Sequence, residues 1–491
     1  MFQKTKQFLF RNTNTKQTVA KNTFWLTVSN FGGRLVKAGV IIYAARVLGT
    51  AGYGVFSYAI TLAGFLTLFM DPGINWTLVR ETAKADEARR RTIFSTTFAL
   101  KVILVIIGIA FIVYLAPLFS TLPGAKAVLP IVALVLAFDT LRDFFTSVMR
   151  AQEQMEWDAA IYVLTNFGIL IFGFIFLSMA ATARSFAWAY VAGDVLGIAF
   201  AAFLIRRYFK DLVGSFSAAL VGPILRTAWP FALTGALGAL LTNADLLILS
   251  WMRSASEVGI YSAAILIVQL LYLVPTVLQF STMPVLARLA KKEPERFRAV
   301  LERITKVTLM AAIPFGIGGA ILARPLMGLI FGGAYASGGP TLSFLLIGLI
   351  FDFPAVLIAG AIFAYDHQKS LVVTTAIAGI TNVTLDLILI PPFGMLGSAI
   401  GTLITQIISN WYLWHVMKKI NYFEVVPRLK RPVAAGIVMG AAVATMATLG
   451  VNVVLAVIAG GIIYAGALIA MREPVLREIR NLLRPEEAVG A

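Results

Sequence analysis

The chain has no cysteine among its 491 residues, only two histidines, and few charges: 13% of its residues are Asp, Glu, Lys or Arg. The first absence excludes disulfides and thiolate chemistry, and His367 and His415 alone do not make a zinc site. No glycine-rich phosphate loop and no metal-ligand cluster is written anywhere in the sequence, so neither a cofactor nor a metal is expected. Carboxylates are also scarce, 24 Asp and Glu against 41 Lys and Arg, a formal charge of +17. The cations come in short blocks between apolar runs rather than on one domain, which argues against nucleic acid as a partner. The N-terminal tail MFQKTKQFLFRNTNTKQTVAKN lacks the apolar core of a cleaved signal, and the first span is expected to serve as its own insertion signal.

What is abundant is apolar surface. Hydrophobic residues make up 59% of the chain and mean hydropathy is +0.85, so the expectation is an all-α polytopic membrane protein. Windows of about 20 residues with few charges place fourteen transmembrane helices near 23–47, 54–79, 95–116, 128–149, 159–180, 185–205, 228–251, 260–286, 304–323, 341–365, 370–390, 396–417, 432–449 and 452–471. The positive-inside rule puts most Lys and Arg on the cytoplasmic side when both termini are cytoplasmic, in a cell (plasma or inner) membrane. Segment 288–306, with Phe297, Val300, Leu301 and Ile304 on one face, is expected to lie on the cytoplasmic leaflet against anionic membrane lipid.

The two halves repeat. Gly54-Val55-Phe56-Ser57-Tyr58-Ala59 returns as Gly259-Ile260-Tyr261-Ser262-Ala263-Ala264, Leu136-Ala137-Phe138-Asp139 as Leu349-Ile350-Phe351-Asp352, and Thr165-Asn166 as Thr381-Asn382. Six spans per repeat is an even number, which implies a parallel internal repeat. The expected organisation is a tail at 1–22, a six-helix lobe at 23–210, a linker at 211–227, a second six-helix lobe at 228–417, a linker at 418–431, a helix pair at 432–471 and a tail at 472–491.

Arg34 and Lys37 stand near the middle of the first span, one turn apart, with no carboxylate in that helix. A cation at a helix centre costs ~2.5–3.5 kcal/mol on insertion scales, so it normally faces water, a counter-charge or an anionic ligand. Substrate contact is the leading reading of the pair; pairing with Asp71 on the next span, or snorkelling, is the structural one. Asp71 precedes Pro72-Gly73, where the second span is expected to bend, and a helix-capping role is its alternative. Asp139, Arg142 and Asp143 share one face of the fourth span and read as a neutralised structural cluster. Asp245, Asp352 and Asp386 are candidate carboxylates for ion coupling, with Asp194 ranked after them.

The segments ARVLGTAGYGVFSYAITLAGFLTLFMDPGINWTLVRETAK at 45–84 and ITNVTLDLILIPPFGMLGSAIGTLITQ at 380–406 carry a resemblance. With Arg46, Leu48, Gly49, Gly52, Tyr53, Asp71, Gly73 and Ile74 in place, the chain resembles the Wzx-type oligosaccharide flippases, in the superfamily of the MATE exporters and MurJ-type flippases. Asp386 stands where that late motif often has Asn. The resemblance implies a polyprenyl-diphosphate-linked oligosaccharide, moved from the inner to the outer leaflet for cell-surface polysaccharide, with polysaccharide-assembly proteins as further partners. It agrees with the residues on one point: a diphosphate would answer Arg34 and Lys37. The alternative is a MATE-like exporter of amphipathic cations. An enzyme is not expected, because the outer loops are too short and apolar to hold catalytic groups.

Overall fold

The computed structural model describes residues 15–82, 84–206, 212 and 214–475, and among these there is no β-strand. Each of the fourteen expected windows falls largely on helical backbone, the second being broken at residues 70–73. Among the described residues nine helices are long and apolar enough to cross a membrane, or ten if the pair Pro294–Gly319 and Ala323–Phe331, bent by 84°, is one broken span. The expected C-terminal tail lies beyond the described residues from 476 onward. The chain divides into two compact units, Met1–Gly259 and Ile260–Ala491.

In the first unit α1 (Thr15–Leu66) is followed by a short α2 (Ile74–Thr82), then α3 (Glu87–Ala110), prolonged by a π turn at Phe111–Leu115, α4 (Ala125–Ala151), α5 (Met155–Met179), α6 (Ala183–Ile205) and α7 (Ala218–Met252). The first helix runs through the gap between the first two expected spans. Gly49, at φ 67°, breaks its geometry in a conformation that costs glycine little. Glycines also set the closest crossings. A Cβ on Gly33 would lie 2.1 Å from the Tyr162 ring, and one on Gly193 would lie 2.7 Å from the Ile169 nitrogen, so α1–α5 and α5–α6 touch through missing side chains. A Cβ on Gly54 would fall 1.8 Å from the Ala255 carbonyl oxygen, and one on Gly259 2.0 Å from that of Thr50.

Helix α7, the first span of the expected second lobe, packs against the helices of the first unit. Its approach to the bend after Asp71 is close, since a Cβ on Gly73 would meet the Ala228 carbonyl oxygen at 2.7 Å. The segment leading into it is tied to α3, where Ser95 Oγ accepts from the Ser215 N–H at 3.2 Å and Thr96 Oγ1 from that of Ser217 at 3.1 Å.

The second unit takes over within α8 (Ala255–Leu271) and continues through α9 (Leu273–Leu289), α10 (Pro294–Pro314), α11 (Ala323–Phe331), α12 (Gly339–Ala364), α13 (Gln368–Phe393), α14 (Met395–Ile420), α15 (Lys430–Thr448) and α16 (Val453–Ala470). Segment 288–306 is not the free surface helix expected from its amphipathic pattern. It is the end of α9, a turn, and the beginning of α10, and its apolar face is spent inside the unit. Phe297 and Leu301 are fully buried in a cluster with Leu413, Met417 and Phe423, and the Phe297 ring packs edge-on to Tyr365 at 4.8 Å. The late helix pair docks on the same α10 and the π turn beyond it. Cβ atoms on Gly436 and Gly440 would lie 2.5 Å from Ile313 Cγ2 and 2.8 Å from Ile317 Cγ2.

Candidate functional site

Apart from Arg46 at the outer end of the first, the expected spans of the first unit hold four cations, and the structure treats them in two ways. Lys101 and Arg142 are buried and paired. Arg34 and Lys37 are exposed, and among the described residues neither has a carboxylate within 4.0 Å.

Lys101, which the sequence reading passed over, is the partner of Asp71. Its amine lies 3.1 Å from Asp71 Oδ2, with the lysine side chain fully buried. Asp71 Oδ1 meanwhile accepts the Ile74 N–H at 2.8 Å and caps α2. The expected alternative for Arg34 and Lys37, an ion pair with Asp71, is therefore not formed. The signal that could have found Lys101 is the one applied to Arg34: a lone cation deep in an apolar run.

Arg142 is the hub of a denser cluster. Its Nη1 donates to Asp194 Oδ1 on α6 at 2.8 Å, while Nη2 donates to Asp139 and, at 3.2 Å, to Asp143 on its own helix. Gly197, one turn beyond Asp194, makes room: a Cβ there would lie 2.0 Å from Thr165 Oγ1 and 3.3 Å from Arg142 Cδ. Asp194 is thus the cross-helix member of a cluster that helical spacing assigned to α4 alone. Just above it a small cavity of about 110 Å³ is lined by Asp139, Arg142 and Asp194 together with Lys37, Tyr162 and Asn166. Lys37 thus faces the cluster's carboxylates across the cavity without pairing to them, and the cavity's four charged walls balance.

The second unit surrounds Asp352 differently. Asp352 on α12 accepts from the Tyr272 hydroxyl, from Gln406 Nε2 at 2.7 Å and from Asn410 Nδ2 at 2.5 Å. Three neutral donors from two neighbouring segments hold this carboxylate, whereas a guanidinium holds Asp139. Nothing in the sequence flagged Tyr272, Gln406 or Asn410, because none is charged and they lie far apart in the chain. Asp386 on α13 is fully buried, and Gly401 of α14 passes so close that a Cβ would lie 3.3 Å from its Oδ1. Asp245 on α7 is half-buried and accepts the Leu246 N–H at 2.8 Å.

An all-helical membrane fold with nine or ten candidate spans and charged clusters held among its helices defines a class, the multi-span transporters. The structure of the lipid II flippase MurJ in an inward closed conformation superposes with a TM-score of 0.74 at 18% identity, over 91% of this chain and 99% of that one. The family model described as "Polysaccharide biosynthesis protein" matches residues 19–290, and the chain belongs to that family. A second model, MatE, matches residues 230–388. Two relatives come from Haloferax volcanii. The probable flippase AglR is 26% identical over 258 residues, 50% of this chain and 53% of AglR, so that match spans about half its length. The probable low-salt glycan biosynthesis flippase Agl15 is 21% identical over 402 residues, 80% of this chain and 82% of the relative.

Proposed function

We propose that this chain is a flippase that carries a polyprenyl-diphosphate-linked oligosaccharide from the inner to the outer leaflet by alternating access, in the service of cell-surface polysaccharide. The observation that carries the reading is the contrast among the four intramembrane cations. Lys101 and Arg142 have their carboxylates, whereas Arg34 and Lys37 stand exposed without one. Desolvated charge is kept where it has a partner, and a diphosphate supplies what this pair lacks: a planar fork suits Arg34 and a point charge suits Lys37. Lys37 then has two alternative anions, the substrate and the carboxylates across the small cavity, and can pass from one to the other during the cycle.

The same proposal keeps fourteen spans as two six-helix lobes and a final hairpin, with both termini cytoplasmic. Asp245, Asp352 and Asp386 remain coupling candidates, and Asp71 serves as the counter-ion of Lys101 while capping α2. Polysaccharide-assembly proteins are the partners this role calls for. The competing reading, a MATE-like exporter of amphipathic cations, is favoured by the MatE match at 230–388 and disfavoured by two exposed intramembrane cations.

Vesicles reconstituted with wild type and with Arg34→Ala/Lys37→Ala, loaded with a polyprenyl-diphosphate oligosaccharide in one leaflet, test both halves. Movement by the wild type and its loss in a folded variant is the expected result. Equal movement by both would remove the site, and expulsion of a cationic dye with no glycan movement would transfer the chain to the exporter class.

A further inference from the structure

The second unit holds a cavity of about 640 Å³ along α10, from Ala299 to Lys306. Its walls are the polar face of α10, whose apolar face is buried, the 3₁₀ turn Val426–Leu429, the first two residues of α15, and the chain leaving α16 at Glu473-Pro474-Val475. Five cations line it, Arg303, Lys306, Arg428, Lys430 and Arg431, against two carboxylates, Glu302 and Glu473: five minus two leaves +3.

Both carboxylates are committed within the walls. Glu302 Oε2 holds Arg428 Nη1 at 2.8 Å while its Oε1 accepts the Glu424 N–H at 2.8 Å, and Glu473 pairs with Lys306. The two acids have side chains only 8% and 1% exposed, and each tethers one wall cation, the largely buried Lys306 and the half-exposed Arg428. Arg431 is anchored too, donating through Nη1 to the Arg472 carbonyl oxygen at 3.2 Å. Lys430 and Arg431 open α15, where the helix dipole adds to the attraction for an anion. The cavity falls within the roughly 300–1,000 Å³ usual for small-ligand sites.

We propose that this cavity binds a phosphate-bearing anion. Two sources offer that chemistry, the headgroup of an anionic phospholipid at the membrane surface and free inorganic phosphate. The site is remote in sequence from Arg34 and Lys37, and the proposal stands whether or not the chain moves a lipid-linked glycan.

The test uses the full chain in nanodiscs of phosphatidylcholine, with or without phosphatidylglycerol, and in phosphatidylcholine alone with inorganic phosphate added. Thermal melting and the lipid retained through delipidation are the readouts. Three variants accompany the wild type: Lys430→Gln/Arg431→Gln, an equal loss of charge outside the cavity in Arg89→Gln/Lys292→Gln, and Ala299→Trp, which fills the cavity from an exposed position without changing charge. The expected result is wild-type stabilisation by phosphatidylglycerol and selective retention of it. Both cavity variants should weaken these by about tenfold or more, and the remote pair should not. Stabilisation by inorganic phosphate that the cavity variants lose would assign the free anion as the source. No response of the wild type to either, or equal loss in the cavity and remote variants, would overturn the site.

Discussion

The guanidinium of Arg142 on α4 donates to Asp194 on α6 at 2.8 Å, and this one hydrogen bond crosses between helices in a cluster otherwise confined to a single helical face. Removing the cation strands three carboxylates around a buried position. Arg142→Met is expected to cost about 3–5 kcal/mol, the range for breaking a buried pair from one side. Asp194→Asn keeps an acceptor for Nη1, relieves one of three like charges, and should cost clearly less. Melting curves of the two variants in the same detergent check the order; equal losses would mean that the cluster does not depend on its hub.

Lys101 and Asp71 form a lopsided pair. The lysine side chain is fully buried, while the aspartate is 27% exposed and also caps α2. Asp71→Asn leaves an ammonium without its charge partner and should destabilise more than Lys101→Met, each by about 2–4 kcal/mol. The double variant should recover part of the loss, and a double-mutant cycle by thermal unfolding measures the coupling. Strict additivity would show that the pair contributes no interaction of its own.

Gly197 holds the space for the Arg142 stem. Gly197→Val pushes into Thr165 and Arg142 and is expected to lower stability by about 1–3 kcal/mol through overpacking. Combining it with Thr165→Ala, which removes the hydroxyl that would be struck first, should restore a measurable share. A melting temperature that Thr165→Ala does not raise would place the fault elsewhere in α6.

The Asp352 cage predicts a difference between shape and charge. Asp352→Leu leaves the Tyr272, Gln406 and Asn410 donors without their acceptor, at about 1–3 kcal/mol for each group left unsatisfied. Asp352→Asn keeps an acceptor, and the amides of Gln406 and Asn410 can turn to meet it, so the folded protein should survive with a far smaller loss. If glycan movement then falls in the asparagine variant at unchanged stability, the carboxylate itself is used in the cycle; unchanged movement would confine Asp352 to structure.

The helices were legible because each is a long apolar run, and a run of that kind has few alternatives in a bilayer. The family was legible from the two motif segments, and the model match over residues 19–290 agrees with it. What periodicity could not reach was partnership. Helical spacing grouped Asp139, Arg142 and Asp143 but had no means of adding Asp194, 52 residues away. It offered Asp71 to Arg34 and Lys37, where the fold gives it to Lys101. The amphipathic start of α10 was misread as a membrane-surface helix because a buried protein face and a lipid-buried face demand the same apolar stripe. The packing of α7 was equally out of reach: in sequence it is an ordinary span, and nothing there shows that its approach to Gly73 is close.

Gly54 and Gly259 touch the chain opposite them backbone to backbone, each lying where a side chain on it would occupy the other helix's peptide oxygen. Seen as a question of inheritance, such a contact admits no gradual change. Even a methyl group at either position must move a whole helix, and no neighbouring side chain can shrink to absorb it. A saturation library should find these two positions closed to every substitution while the large apolar residues around them trade places freely.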